Sequence, residues 1–287
     1  MFENTVIKGM DPVLETNTTS VLECQLLSQH PTRFMINVLK VFDHWYHCRI
    51  FMNKKSPKMD KEYFQDHTNS TVYILDKPKP KDCQDWKTLG YDKDGLYDIV
   101  IDRKSVQVWC DMTNFDGGWI VFQKRFNNSV DFNRDWEEYK DGFGQINGGE
   151  FWLGNEHLHR LTWGKSVQFI FEVEDTDGVT RYGRHDSFFI SSEDDFYRMS
   201  SDMRVMDGMG GFGLVKGQPF STTGSDHDSW PYGNCADRFQ GGWWYNDCGT
   251  AFFNGINDPS VEFYGIRFTA WNNLKDKVRT KMMIKVA

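Results

Sequence analysis

The chain has 287 residues, of which 16% are aromatic, and a formal net charge of −8. So many aromatic residues indicate a folded protein and exclude an intrinsically disordered one. The acidic excess lies almost entirely after residue 82. It disfavours nucleic acid as a partner, because phosphates are bound by positive charge. The sequence holds no run of about 18 apolar residues, so we predict no membrane span.

The first 75 residues have the pattern of a small α+β module. The chain begins without the charged and apolar regions of a signal peptide, which conflicts with secretion unless the native start lies elsewhere. Thr18–Ser20 followed by Glu23 offers an N-cap and a capping-box partner. The amphipathic stretch Val21–Leu27 is therefore predicted to be a short helix that ends before Pro31.

Two strands are predicted next, at Phe34–Val41 and Cys48–Met52. With the helix they resemble a degenerate PAN/apple module, which implies a Cys24–Cys48 disulfide and the loss of the family's inner cysteine pair. Residues 76–81 then alternate Pro and Lys, a pattern that prevents a helix and extends the chain. We interpret this stretch as a linker.

Residues 82–287 are predicted to form one larger domain. Glycine and aromatic residues interleave in short runs, and Val167–Val173 alternates as a strand does. Phe132–Tyr139 has helical spacing. From about residue 205 to 265 turn residues dominate, so this region needs disulfides or metal ions as a source of order.

An ordered series of motifs runs through this second domain. They are Asp82-Cys83, Gly95-Leu96-Tyr97, Val108-Trp109-Cys110-Asp111-Met112, Asp116-Gly117-Gly118-Trp119, Glu150-Phe151-Trp152-Leu153-Gly154, Phe220-Ser221-Thr222, Asn234-Cys235-Ala236 and Trp243-Trp244-Tyr245. The series resembles the fibrinogen C-terminal domain, and most of all ficolins, tachylectins and invertebrate fibrinogen-related lectins. The resemblance implies an α+β fold of antiparallel sheets and short helices, with a loop-rich region for calcium and ligand.

The six cysteines are even in number and include no CxxC, which favours disulfides over zinc or redox motifs. Buried free thiols in a cytosolic protein are the alternative. The fibrinogen-domain resemblance implies the disulfides Cys83–Cys110 and Cys235–Cys248. Three sequons, at Asn17, Asn69 and Asn127, are candidate glycosylation sites. We therefore expect a secreted, extracellular protein.

A D-x-D pattern at Asp226 and Asp228 carries the strongest chemical signal. Carboxylates two residues apart can point at one centre, and Ca²⁺ takes about 6–8 oxygen ligands, including backbone carbonyls and waters. The resemblance implies that both side chains bind Ca²⁺ together with the carbonyls of Trp230 and Tyr232. One extra residue before Cys235 leaves Gly233 as the other choice for the last carbonyl. A solvated acidic turn is the alternative.

The histidines predict neither a transition-metal site nor catalysis. His227 lies between the two aspartates and points away from them in an extended loop, with no nearby cysteine or second histidine to complete a zinc site. His157 and His159 lie on a helix that is structural in the family. The sequence holds no nucleophile elbow, HExxH or phosphate-cradling glycine loop, so we predict no enzyme.

The ligand pocket is implied by the resemblance alone. Its expected residues are Phe239, Asp247, Cys248, Gly249, Phe263 and Tyr264. In lectin members the pocket takes an acetyl group beside a cis peptide, which falls here between Asp247 and Cys248. The family often has Tyr, a basic or polar residue, and His where this chain has Phe239, Asp247 and Gly249. These changes remove polar groups, and Asp247 would repel an anionic sugar. Core packing is the alternative for Phe239, and the one we favour for Trp243 and Trp244.

The predicted function is calcium-dependent recognition of acetylated glycans or glycoproteins on microbial or cell surfaces, in innate immunity. The alternative is an adhesion module that binds extracellular proteins and no sugar. A single sugar site binds weakly and needs avidity, so a homo-oligomer is a further expectation.

Overall fold

The computed structural model describes residues 12–18, 33–42, 45–52, 70–74, 80–175, 177–204, 217–249, 251–256, 267–268 and 279–286. The chain splits into two compact units. The first is formed by Met1–Lys79 with Thr88–Gly90, and the second by Pro80–Lys87 with Tyr91–Ala287.

The described part of the first unit is a four-stranded antiparallel sheet in the order β1-β3-β2-β4. Its strands are β1 (Pro12–Thr18), β2 (Arg33–Phe42), β3 (Trp45–Met52) and β4 (Ser70–Ile74). The two predicted strands are confirmed within β2 and β3, which pair directly with Cys48 opposite Val38. The predicted helix Val21–Leu27 lies outside the described residues.

In the second unit, nine strands of the described residues form one antiparallel sheet. They are β5 (Gly95–Ile101), β6 (Lys104–Asp111), β7 (Trp119–Arg125), β8 (Phe143–Gly144), β9 (Phe151–Trp152), β10 (Val167–Glu174), β11 (Thr180–Ile190), β12 (Met199–Arg204) and β15 (Arg279–Val286). The main path is β12-β11-β10-β15-β7-β6-β5, with β9 joining β7 to β8. A small pair, β13 (Ala251–Phe252) and β14 (Arg267–Phe268), stands apart. The predicted strand Val167–Val173 is confirmed as β10.

The helices of the described residues are short. They are α1 (Cys83–Thr88), α2 (Trp136–Asp141), α3 (Asn155–Thr162) and α4 (Cys235–Phe239). The spacing that predicted a helix over Phe132–Tyr139 was wrong at its start. Asp135 caps α2 by accepting a hydrogen bond from the Glu138 N–H, and the Glu138 side chain accepts one from the Asp135 N–H. This capping box begins the helix at Trp136.

The central strand β7 is buried on both faces. Ile120 and Phe122 belong to the main core, whereas Trp119 and Val121 belong to a smaller cluster on the other face of the sheet. Successive side chains of a strand point to opposite faces, so an unbroken apolar run fits a strand that is covered on both sides.

The main core continues from the sheet into the loop-rich region through aromatic rings. Trp152 of β9 lies 5.9 Å from Phe220 and 6.0 Å from Trp244, measured between ring centroids. Trp243 and Trp244 are both buried, which confirms their predicted place in the core. Buried aromatic packing therefore holds the loop-rich region against the sheet.

Candidate functional site

Two disulfides anchor the second unit. Cys83–Cys110 joins α1 to β6, and Cys235–Cys248 links two cysteines 13 positions apart in the chain with their Cα atoms 5.3 Å apart. Both predicted pairings are confirmed. The predicted Cys24–Cys48 bridge lies outside the described residues. Disulfides form and persist in oxidising compartments, so this chemistry is consistent with an extracellular protein.

Asp228 is the organising side chain of the loop at residues 226–234. One of its carboxylate oxygens accepts a hydrogen bond from the Trp230 N–H, and the other accepts one from the Cys235 N–H, both at 2.8 Å. Its own N–H donates to Oδ1 of Asp226 at 3.2 Å. The loop therefore curls so that Asp226 and Asp228 lie close together, and it is tied to the first cysteine of the disulfide.

The carboxylates of Asp226 and Asp228 repel each other when both are ionised. Burial raises the pKa of Asp228, and the carboxylate of Asp226 raises it further. The N–H groups of Cys235 and Trp230 act in the opposite direction but do not outweigh these effects. A cation bound between the two carboxylates would relieve this repulsion.

The His227 side chain lies among aromatic rings. Its ring stacks on Phe196 with centroids 4.0 Å apart and meets the Trp136 ring edge-on at 5.3 Å. Its Nε2 shares a 3.0 Å hydrogen bond with Ser225 Oγ. In the part of the chain that the structure describes, no three His, Cys, Asp or Glu side chains cluster as a metal site. The Asp226 and Asp228 carboxylates offer oxygen donors, whereas Nε2 of His227 is engaged by Ser225.

Trp230 and Tyr232 follow on the same loop. Trp230 is half-buried with the Arg238 guanidinium 5.2 Å from its ring, whereas the Tyr232 side chain is 86% exposed. The choice between the Tyr232 and Gly233 carbonyls stays a prediction.

The predicted pocket is partly closed. Phe239 is only 3% exposed, and its ring packs 4.3 Å from Phe252 and 6.1 Å from Tyr245. Cys248 is buried and Asp247 is exposed. Phe263 and Tyr264 lie outside the described residues. The described part of the pocket thus offers a buried aromatic ring and an exposed carboxylate.

The expected cis peptide between Asp247 and Cys248 was wrong, because this bond is trans. The chain turns there by another route. Cys248 has φ 52° and Gly249 has φ 69°, so two consecutive residues take the left-handed conformation. Such a pair reverses the chain without a cis bond, and Gly249 adopts it at little cost.

Sequence reasoning missed the residues that connect the loop to its surroundings. Ser221 Oγ accepts a hydrogen bond from the His227 N–H at 2.9 Å, and the Asn246 carbonyl accepts one from the Ser229 N–H at 3.0 Å. Ser221 falls in a family motif, which was a usable signal. Asn246 contributes only its backbone carbonyl in this contact, so no residue type could have indicated it.

The three sequons differ in their structural setting. Asn127 is exposed, and its Oδ1 accepts a hydrogen bond from the Ser129 N–H of the same sequon at 3.1 Å. Asn17 pairs with His47 inside the first sheet. Asn69 lies outside the described residues.

These features coincide with a family match. The sequence model described as "Fibrinogen beta and gamma chains, C-terminal globular domain" matches residues 79–287. The chain belongs to the fibrinogen C-terminal domain family. The resemblance seen in the motifs is thereby confirmed for the family and for its antiparallel fold. The match begins after the first unit, so the PAN/apple interpretation of that unit gains no support from it.

Similar proteins include an angiopoietin-related protein and a ficolin. Angiopoietin-related protein 6 of Mus musculus is 36% identical over 176 residues, covering 61% of this chain and 38% of that protein. Ficolin-3 of Homo sapiens is 34% identical over 213 residues, which cover 72% of this chain and 70% of ficolin-3. The chain therefore spans well under half of the first of these relatives.

The solved fibrinogen-like globe domain of human ANGPTL6 superimposes with a TM-score of 0.67 at 30% identity. The match covers 72% of this chain and 95% of that domain. None of the helices in the described residues is long and apolar enough to cross a bilayer.

Proposed function

We propose that this fibrinogen-domain protein is an extracellular recognition protein that binds acetylated carbohydrate in a calcium-dependent way. The observation that carries the proposal is the coupling of the two halves of the site. Asp228 accepts the Cys235 N–H on one side of the disulfide, and the Ser229 N–H reaches the Asn246 carbonyl just before its other cysteine. An ion held by the loop would therefore stabilise the backbone at both ends of the pocket.

The residues fit calcium by their chemistry. Asp226 and Asp228 would hold Ca²⁺ through carboxylate oxygens, and backbone carbonyls of Trp230 and of Tyr232 or Gly233 would complete the shell with water. Bound Ca²⁺ supplies positive charge that offsets the repulsion between the two carboxylates. The protein's own contribution is to orient Asp228 through the Trp230 and Cys235 N–H groups.

Calcium binding is tested by melting temperature and calorimetry with calcium and with EDTA. Calcium should raise the melting temperature, because an ion that binds only the folded state stabilises it. Asp228→Asn should abolish most of this rise. Asp177→Asn, which removes the same charge from an exposed turn elsewhere, should leave it intact. Equal melting temperatures of the unmodified protein in calcium and EDTA would refute the site.

Sugar binding is tested on N-acetylglucosamine resin, with glucose resin as the matched ligand that lacks the acetyl group. The protein should be retained on the acetylated resin in calcium and released by EDTA. Retention by neither resin in calcium would remove the carbohydrate part of the proposal and leave the calcium part standing.

A binding site for extracellular protein is the second candidate, and the closed pocket floor favours it. Phe239 packs among core rings and offers no polar atom, whereas Asp247 presents a carboxylate at the surface. Binding to a protein partner that survives both Asp226→Ala and excess N-acetylglucosamine would select this alternative.

The remaining expectations follow from the proposed extracellular setting. We propose a binding role and not a catalytic one, with glycosylation at Asn127 because its sequon is exposed. Asn17 and Asn69 stay candidate sites. Self-association into a homo-oligomer would provide the avidity that a weak sugar site needs.

A further inference from the structure

A cluster of three rings lies behind the Asp226–Asp228 loop, and it belongs to neither the predicted ion shell nor the predicted pocket. We propose that Phe196 and Trp136 form an aromatic clamp on His227, and that His227 is thereby the positioning residue that aims Asp226 and Asp228 at a bound divalent cation. This inference rests on the calcium site proposed above.

The first step is the link between His227 and the two carboxylates. The Asp228 N–H donates a hydrogen bond to Oδ1 of Asp226, so these two residues are joined at the start of the loop. His227 lies between them in the chain, and its ring packs against Phe196 and Trp136. A contact that holds the His227 ring therefore restrains the backbone that carries both carboxylates.

The second step is the strength of the hold on the ring. The His227 and Phe196 rings stack at 4.0 Å with an interplanar angle of 23°, and the Trp136 ring meets His227 at 79°. Ser225 Oγ fixes the rotation of the imidazole through its hydrogen bond to Nε2 at 3.0 Å. Stacked and edge-to-face contacts at these distances are the favourable arrangements of aromatic rings.

The third step is that the clamp is itself anchored. Trp136 donates a 2.9 Å hydrogen bond from Nε1 to Glu193, and Lys140 forms an ion pair with the same carboxylate at 2.8 Å. Glu193 opens the turn that ends at Phe196, whose N–H donates to the Glu193 carbonyl. The two clamp rings therefore share one anchor.

The fourth step is the conformation of Phe196. It has φ 53° and is followed by Tyr197 at φ 46°, so two bulky residues lie in the left-handed region. Residues other than glycine rarely adopt this backbone conformation unless the surroundings impose it. Here it leaves Phe196 41% exposed, with its ring against His227. The strained turn thus places an aromatic ring at the surface, where it contacts the loop.

A backbone link runs parallel to the ring contacts. The Phe196 carbonyl accepts a hydrogen bond from the Phe220 N–H at 2.9 Å, and the next residue, Ser221, accepts the His227 N–H through Oγ. The turn therefore reaches His227 through the ring and through the main chain. Phe196→Ala breaks only the first connection, since the backbone bonds and the Cβ remain.

The test compares Phe196→Ala with Phe196→Tyr and with Trp163→Ala. Trp163 is a matched control, because it is 54% exposed and contacts the neighbouring Phe189 ring at 5.4 Å on a different element. The readouts are the calcium dissociation constant by titration calorimetry and the melting temperature in EDTA. Neither depends on any sugar or protein ligand.

We expect Phe196→Ala to weaken calcium binding by about 10-fold, the usual effect of removing a group that orients a metal ligand. Phe196→Tyr should restore the affinity, because the ring remains. Trp163→Ala should leave the affinity unchanged, and in EDTA the Phe196→Ala and Trp163→Ala proteins should melt at similar temperatures.

An unchanged dissociation constant in Phe196→Ala would overturn the inference while leaving the calcium site intact. A large drop of its melting temperature in EDTA, beyond that of Trp163→Ala, would also overturn it, because the ring would then support the whole fold. If the unmodified protein bound no calcium, both this inference and the proposed ion site would fall.

Discussion

The sheet of the second unit and its loop-rich region, described at residues 217–249 and 251–256, are ordered by different forces. In the sheet, β10 pairs with β15 over eight consecutive residues, and the side chains facing the core are buried. In the described part of the loop-rich region, side chains such as Ser221, Asp228 and Asn234 bond to backbone groups instead. Order there depends on a few specific residues, so single changes should act locally and strongly.

Glu150 is an exception in the sheet region, because its single side chain binds the backbone of the loop at residues 126–130. Its carboxylate is fully buried and accepts hydrogen bonds from four backbone N–H groups and one hydroxyl, those of Phe126, Asn127, Asn128, Val130 and Ser129. Burial alone would raise the pKa of Glu150, but these donors and Arg125 outweigh it and lower the pKa. These groups therefore favour the ionised form of Glu150.

Glu150→Gln should cost about 3–5 kcal/mol in the free energy of unfolding, because it removes the charge that the buried donors surround. Urea denaturation at neutral pH measures this. Glu137→Gln, at an exposed position of α2, should change stability by less than about 0.5 kcal/mol. A loss below about 1 kcal/mol in Glu150→Gln would show that the loop does not depend on this carboxylate.

Removing the Cys235–Cys248 disulfide should destabilise the loop-rich region and leave the sheet intact. Closing a loop of this length stabilises a protein by about 3 kcal/mol through the unfolded chain. Replacing both cysteines with alanine should therefore abolish protection from hydrogen exchange in residues 217–249, while β10 and β15 keep theirs. The same change at Cys83 and Cys110 is the control and should spare the loop-rich region. Equal loss of protection in both regions would contradict the contrast.

His185, in the sheet region, should make the stability of the fold depend on pH. It is buried against the Phe169 ring, and neither of its ring nitrogens has a hydrogen-bond partner. Burial lowers the pKa of His185 from 6.5 to about 4. The unfolded chain therefore binds a proton that the folded protein excludes, and stability falls as the pH drops from 6.5 towards 4.

The expected loss at the acid end is about 3 kcal/mol, from the width of that pH interval. His185→Leu should flatten this part of the stability profile, measured by denaturation at pH 7 and at pH 4.5. Burial also lowers the pKa of the half-buried His157, so His157→Leu should flatten the profile too, but less than His185→Leu does. A profile that is equally steep in the His185→Leu protein would contradict the assignment.

The smallest predicted effects concern two helix caps, one in each region. Asp135→Ala should cost about 1 kcal/mol by uncapping α2. Asn234→Ala should cost more, because Asn234 caps α4 through Oδ1 and also donates from Nδ2 to the Thr222 carbonyl at 2.9 Å. Thermal melting of both variants measures the difference. Equal losses would mean that the second bond of Asn234 adds nothing.

Much of the second unit could be predicted from sequence because its signals are local. Alternation marked β10, and ordered motifs marked the family and both of its disulfides. The capping box of Asp135 and Glu138 was a readable signal that the helical spacing of Phe132–Tyr139 obscured. The spacing of Asp226 and Asp228 predicted a calcium site, which stays a prediction; the structure shows the Asp228 N–H donating to Oδ1 of Asp226.

The sequence by itself indicated the strands at Phe34–Val41, Cys48–Met52 and Val167–Val173, the cysteine pairs of the second unit and the family of the chain. Each of these depends on residue type at short spacing or on a motif. Only the tertiary structure decided that Phe239 packs among core rings, that the Asp247–Cys248 bond is trans, and that Phe196 reaches His227 across 31 positions of the chain. These outcomes depend on how distant segments meet, and burial and backbone conformation at such meeting points follow from the whole fold.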